Sequence, residues 1–97
     1  MAKGYWISDI EVTDPEAYKS YQAFVRPFVA ANGGRFLVRG GQQTVVEGAM
    51  SPRSIVIEFP SYQHALEVYM SAEYQQGMQL RLKASRANLA IVEGFDG

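Results

Sequence analysis

Two short apolar stretches lie next to one another in this chain, between two helical patterns, and that arrangement constrains the fold more than any other feature. The first is Gly33-Gly34-Arg35-Phe36-Leu37-Val38-Arg39-Gly40-Gly41; the second is Ser54-Ile55-Val56-Ile57-Glu58-Phe59-Pro60-Ser61. Both read as strands, because both are rich in β-branched and aromatic residues and are bounded by Gly or Pro. Each also places one charge, Arg39 or Glu58, on a face that otherwise reads apolar.

The flanking segments complete the order. Gly4 to Val12 alternates loosely through Tyr5, Trp6, Ile7, Ile10 and Val12, the pattern of a half-buried strand. Asp14-Pro15-Glu16 then opens a helix: Asp14 can accept from free N–H groups, Pro15 suits the first helical position, and Glu16 favours the positive end of the dipole. Tyr18, Tyr21, Val25 and Phe28 share one stripe of it, Pro27 predicts a kink, and Asn32-Gly33-Gly34 ends it. The run Arg35 to Gly48 is interrupted by Gly40-Gly41, which admits either a tight hairpin or one long strand bent by a bulge. The bend is preferred, because it leaves a single second strand pairing through the turn Ala49 to Arg53 with Ser54 to Phe59. Ser61 caps a second helix carrying Ala65, Leu66 and Tyr69, Ser71 caps its continuation through Tyr74, Met78, Leu82 and Ala84, and Leu89 to Glu93 is the last strand.

The order is therefore β-α-β-β-α-β. Short, right-handed connections fold it into a four-stranded antiparallel sheet with both helices on one face, an α+β architecture. With Gly48 opposite Ser54, Val46 faces Val56 and Thr44 faces Glu58 on one side, while Val45 faces Ile57 and Glu47 faces Ile55 on the other. Ile55, Ile57 and Phe59 then pack under the helices. Val46, Val56, Leu37 and Ile7 form an apolar surface on the other face, too large for a small monomer to leave in water. The simplest cover is a second copy related by a two-fold axis, with an enclosed space between the two sheets.

Composition narrows the partners. Ninety-seven residues make one domain, 1–97. A net charge of −1 supplies no general attraction to nucleic acid or anionic lipid. RNA binding, which the same element order serves elsewhere, needs exposed stacking aromatics where this chain has Val56 and Glu58. With no cysteine there are no disulfides, thiol nucleophiles or thiolate metal sites, and the cytoplasm is the expected compartment. No run approaches the length of a membrane helix, and Met1-Ala2-Lys3-Gly4-Tyr5-Trp6 carries no apolar targeting region.

In Lys3-Gly4-Tyr5-Trp6, Thr13-Asp14-Pro15-Glu16-Ala17-Tyr18, Gly33 to Gly41, Ile57-Glu58-Phe59-Pro60-Ser61, Tyr69, Ser71, Glu73-Tyr74-Gln75 and Arg81, the chain resembles the DUF1330 family of the dimeric α+β barrel, ferredoxin-like superfamily. The resemblance spans nearly the whole chain and implies a homodimeric barrel. It implies no reaction, since that family has no agreed activity. Where many members carry Trp-Tyr in the second helix, this chain has Val68-Tyr69.

Candidate chemistry rests on few groups. Arg39 could orient a carboxylate or enolate while Glu58, desolvated beside Val46 and Val56, moves a proton; alternatively the two form a structural ion pair or meet at the dimer seam. Tyr18, Tyr21, Tyr69 and Tyr74 could rim a ligand pocket with their hydroxyls or simply fill the core. Arg81 joins the ligand-binding candidates, although with Lys83 and Arg86 it falls at a helix end where solvated positive charge is ordinary. His64, the single histidine, is expected to be exposed in the first turn of its helix. No metal-ligand spacing exists, and no cofactor is expected. Two functional classes follow: a cofactor-independent acid/base enzyme acting on a small carboxylate or aromatic metabolite, with Glu58 and Arg39 catalytic, or a non-catalytic dimer that binds a small molecule or serves as an interaction module.

Overall fold

The computed structural model describes residues 2–96. β1 (Gly4–Val12) leads into α1 (Pro15–Ala31), followed by β2 (Arg35–Arg39), β3 (Arg53–Phe59), α2 (Tyr62–Met70), α3 (Ala72–Ala84) and β4 (Ser85–Glu93). The four strands form one sheet in the order β2-β3-β1-β4, with β1 antiparallel to both β3 and β4. The helix starts are chemically explicit. Asp14 accepts from the Ala17 N–H at 3.2 Å, Ser61 from the His64 N–H at 3.0 Å, and Ser71 from the Tyr74 N–H at 3.2 Å. Pro27 lies inside α1, where it lacks the N–H that would reach the Ala23 carbonyl, and the helix continues to Ala31 around it.

The second strand departs from its expected course. β2 ends at Arg39 instead of running on to Gly48, and residues 40–52 form no strand. Gly40 ends it: it adopts φ +69°, its N–H donates to the Ser54 carbonyl at 2.8 Å, and the Arg53 guanidinium fills the space where a Cβ would stand. Beyond it the chain is held by side chains. Gln43 donates to the Ser51 carbonyl at 2.9 Å and bonds the Ser54 hydroxyl, while the Ser51 N–H donates to Asp9 at 3.2 Å. Asn88 also donates to Asp9 at 2.9 Å, and these bonds hold its carboxyl below the usual aspartate range.

The register changes accordingly. Arg35 lies opposite Glu58, Phe36 opposite Ile57, Val38 opposite Val56 and Arg39 opposite Ile55, with a shift between Phe36 and Val38. The expected pairing of Gly48 with Ser54 is absent. Val45 and Val46 lie off the sheet in the 40–52 segment, and Val46 is 85% exposed. β4 begins at Ser85, four residues before the expected Leu89, and pairs with β1 along its whole length.

The parity of β3 is as the sequence predicts. Ile55, Ile57 and Phe59 are buried beneath the helices with Trp6, Ile10, Val25 and Phe28. The opposite face is free of helices and presents Ile7, Leu37, Val38 and Val92. α1 packs against α3, and Gly77 permits the close approach, since a Cβ there would enter the Phe24 ring. That ring is itself fixed, stacked on Phe28 with centroids 5.1 Å apart. Gly77→Val should therefore destabilise the protein by about 1–3 kcal/mol through overpacking, and a thermal melt should show a drop of several degrees.

Candidate functional site

A cavity of about 30 Å³ opens between α1, α3 and the helix-covered face of the sheet. β1 supplies its floor through Trp6 and Ser8, β3 adds Ile55 and Ile57, and α1 closes it with Tyr18, Tyr21 and Val25. Its charged members are all cationic: Arg26, Arg39, Arg53 and Arg81. Among the described residues lining it there is no Asp, Glu or His.

Arg81 is the unexpected member. The sequence places it on a solvated helix end, yet it is 5% exposed, because α3 lies against α1 and Arg81 faces the contact. Its Cζ stands 5.9 Å from the centre of the Tyr21 ring, and its Nε has no hydrogen-bond partner. Arg53 enters from the start of β3, Cζ 5.9 Å from the Tyr18 ring, again with Nε unpartnered. Arg39 is exposed at the rim with its Cζ 5.4 Å from the Phe36 ring. The ion pairs among the described residues lie elsewhere: Lys19 with Glu16, Arg35 with Glu58, and Arg86 with Glu11.

The tyrosines divide. Tyr18 and Tyr21 are buried and line the cavity. Burial pushes the Tyr18 hydroxyl up despite the nearby Arg53 and Arg81 cations, and burial, reinforced by the Tyr74 hydroxyl, pushes Tyr21 up strongly. Both are therefore neutral at ordinary pH. Tyr74 stands behind them, 0% exposed, its hydroxyl 2.8 Å from that of Tyr21. Tyr69 is directed away, its hydroxyl 3.4 Å from the Met78 sulfur and its ring edge-on to Trp6.

Arg39 and Glu58 do not meet within the chain. Arg39 is opposite Ile55 on the helix face, whereas Glu58 is opposite both Tyr5 and Arg35 on the free face. There Glu58 accepts from Arg35 Nε at 3.0 Å and from the Tyr5 hydroxyl at 3.2 Å. Burial and the Glu58 hydrogen bond raise the Tyr5 hydroxyl above its ordinary range. Beside this row a shallow groove of about 390 Å³ runs over Ile7, Val56 and Ala90 towards Met50. His64 is half-buried rather than exposed, because its Nε2 reaches back 2.6 Å to the Asn32 carbonyl at the end of α1. Sequence reasoning missed Arg53 and Ser8. Parity held the signal for Arg53, which shares its face with Ile55, Ile57 and Phe59.

The sequence matches the family described as Domain of unknown function (DUF1330) over residues 3–95. The chain belongs to that family. Its fold is the ferredoxin-like α+β fold of several solved structures. One is a protein of unknown function from Rhodopseudomonas palustris, 15% identical with a TM-score of 0.75, the match covering 99% of this chain and 85% of that one. Another is SnoaB, a cofactor-independent oxygenase from Streptomyces nogalater, 13% identical with a TM-score of 0.64 over 100% of this chain and 97% of that one. A third is an ethyl tert-butyl ether D family protein from Bacillus halodurans, 10% identical with a TM-score of 0.55 over 98% and 100% of the two chains. No curated protein matches the sequence. No helix among the described residues is long and apolar enough to cross a membrane.

The Glu58 cluster has a stability consequence. Arg35 is 73% exposed at its side chain, so its pair with Glu58 is open to water on one side. Glu58→Gln should alter unfolding free energy by no more than about 1 kcal/mol in a denaturant titration.

Proposed function

We propose that this protein is a homodimeric small-molecule-binding protein, with one ligand site per subunit in the cavity between α1, α3 and the sheet. The observation that carries this reading is the cavity itself. It is walled by Trp6, Tyr18, Tyr21, Val25 and Ile57, takes in the Arg53 and Arg81 side chains, and is bordered by Gln22, Arg26 and Arg39, an apolar body with a few polar groups. Its groups bind and orient a ligand without a metal or organic cofactor. Tyr18 and Arg81 contact the ligand, while Tyr74 and Tyr69 hold the wall from behind.

The free face supports the dimer. Ile7, Leu37, Val38 and Val92 are each exposed there by two-fifths or more, and a second copy would cover them. Glu58, with Arg35 and Tyr5, then faces the space between subunits and serves the interface, while Arg39 serves the ligand site on the other side of the sheet.

A cofactor-independent enzyme is the second reading, favoured by the likeness in fold to the oxygenase SnoaB. Its acid/base form, with Glu58 and Arg39 acting on one substrate, would require those residues to converge across the dimer. The cavity offers no carboxylate or imidazole among its described lining, so the binding reading fits it better.

Trp6, the single tryptophan, lines the cavity and reports on it. A panel of compact organic acids, amides and phenols should contain compounds that change Trp6 emission saturably and raise the melting temperature. Val25→Phe, which fills the cavity at an overpacking cost of about 1–3 kcal/mol, should abolish both effects while circular dichroism remains native. Light scattering at low micromolar concentration should give twice the chain mass. If no compound acts on the wild type, or if Val25→Phe responds unchanged, the site lies elsewhere.

A further inference from the structure

The positive charge in the cavity has no anionic counterpart among the described residues. Arg81 is nine-tenths buried and Arg53 half-buried, each with its Nε unpartnered, and neither belongs to any ion pair among the described residues. The nearby hydroxyls cannot balance them, since Tyr18 and Tyr21 remain neutral, and arginine does not release its proton. A buried, uncompensated cation is unfavourable, and a fold retains one most readily where something else supplies the negative charge.

We propose that the site is built for the carboxylate of a small organic acid, held by Arg81 and Arg53, with Arg39 at the rim. This rests on the ligand site lying in the cavity, as argued above. Both guanidinium groups line the same cavity. The rings of Tyr21 and Tyr18 lie near the Arg81 and Arg53 cations, and both Nε atoms are buried without a hydrogen-bond partner. An ionised carboxylate accepts from such donors in two parallel bonds and is planar like its partner. The size agrees: about 30 Å³ is room on the scale of two waters at about 10–15 Å³ each. That space seats a carboxylate group and little else, so the remainder of the acid extends towards Gln22, Arg26 and Arg39 at the opening. A phosphate, tetrahedral and more heavily hydrated, suits this apolar enclosure less well.

The test uses the full-length protein and four matched probes: propanoate against propanamide and benzoate against benzamide, with inorganic phosphate as a fifth. Trp6 emission and melting temperature are the readouts. Each carboxylate should bind at least about tenfold more tightly than its amide, and phosphate should produce no saturable change. Arg81→Met, which replaces the cation with an apolar side chain of similar length, should melt no lower than the wild type without ligand and should lose the preference for carboxylate over amide. Arg53→Gln, at a less buried position, should reduce that preference independently of any folding defect at Arg81. Equal binding of acids and amides would overturn the carboxylate assignment while leaving the cavity as the ligand site. Tighter binding of phosphate than of either acid would also overturn it. If none of the five probes acts and the wider panel is equally silent, the cavity reading fails together with it.

Discussion

The side chain of Trp6 is the fixed point of this structure. β1 is flanked by β3 and β4, and Trp6 projects from it into the helices, where its indole N–H donates to the Ala65 carbonyl of α2 at 2.9 Å. An indole has only that donor, so bonding it while buried fixes the ring's orientation as well as its depth. The ring then meets Phe59 of β3 at 5.0 Å, Tyr74 of α3 edge-on at 4.9 Å and Tyr69 of α2 edge-on at 5.7 Å. One residue thus sets the distances between the sheet and both halves of the second helical segment. Because the same indole floors the cavity, the site inherits the rigidity of the core, while the exposed Arg26 and Arg39 leave freedom at its opening.

A second constraint acts through one residue of register. Strict alternation along β2 would put Phe36 and Val38 on the helix face and Leu37 and Arg39 on the free face. The shift between Phe36 and Val38 breaks that alternation: Leu37 and Val38 are both exposed, and Arg39 comes to lie opposite Ile55 on the helix face. A bulge therefore separates Arg39 from Glu58 by the thickness of the sheet. Glu58, left on the free face, takes Arg35 instead, two side chains brought opposite one another by the same register.

This also marks where the sequence was legible. The caps at Asp14, Ser61 and Ser71 were, because each depends on one side chain reaching a backbone N–H three residues on. The inward set Ile55, Ile57 and Phe59 was equally plain from its period of two. Phe36-Leu37-Val38, by contrast, are all acceptable strand residues, and nothing in them announces a bulge. Gly40-Gly41 drew attention to a bend but lies after the shift, and Gly40 ends the strand instead of bending it. The burial of Arg81 was invisible for a different reason. A cation in the last turn of a helix suits the dipole whether it faces water or protein, and only the approach of α3 to α1, which Gly77 allows against Phe24, decides between them. The burial of His64 is hidden in the sequence for the same reason, since its partner, the Asn32 carbonyl, belongs to an element far away in sequence.

The hydrogen-bond inventory around the cavity is unbalanced in one direction. Tyr21 and Tyr74 share a single bond between their hydroxyls, so one of the two protons is used there and the other remains to be donated. The Nε–H groups of Arg53 and Arg81 are likewise unspent. A core normally settles such a surplus with carbonyls or carboxylates, and here the surrounding side chains are chiefly aromatic or aliphatic, offering faces rather than lone pairs. Water could accept some of these donors but carries no charge to set against the guanidinium groups. The Tyr74 and Tyr18 hydroxyls lie close enough to accept from Arg81 and Arg53, but a neutral hydroxyl does not offset their charge, and the aromatic packing that makes the core rigid also holds these donors in place.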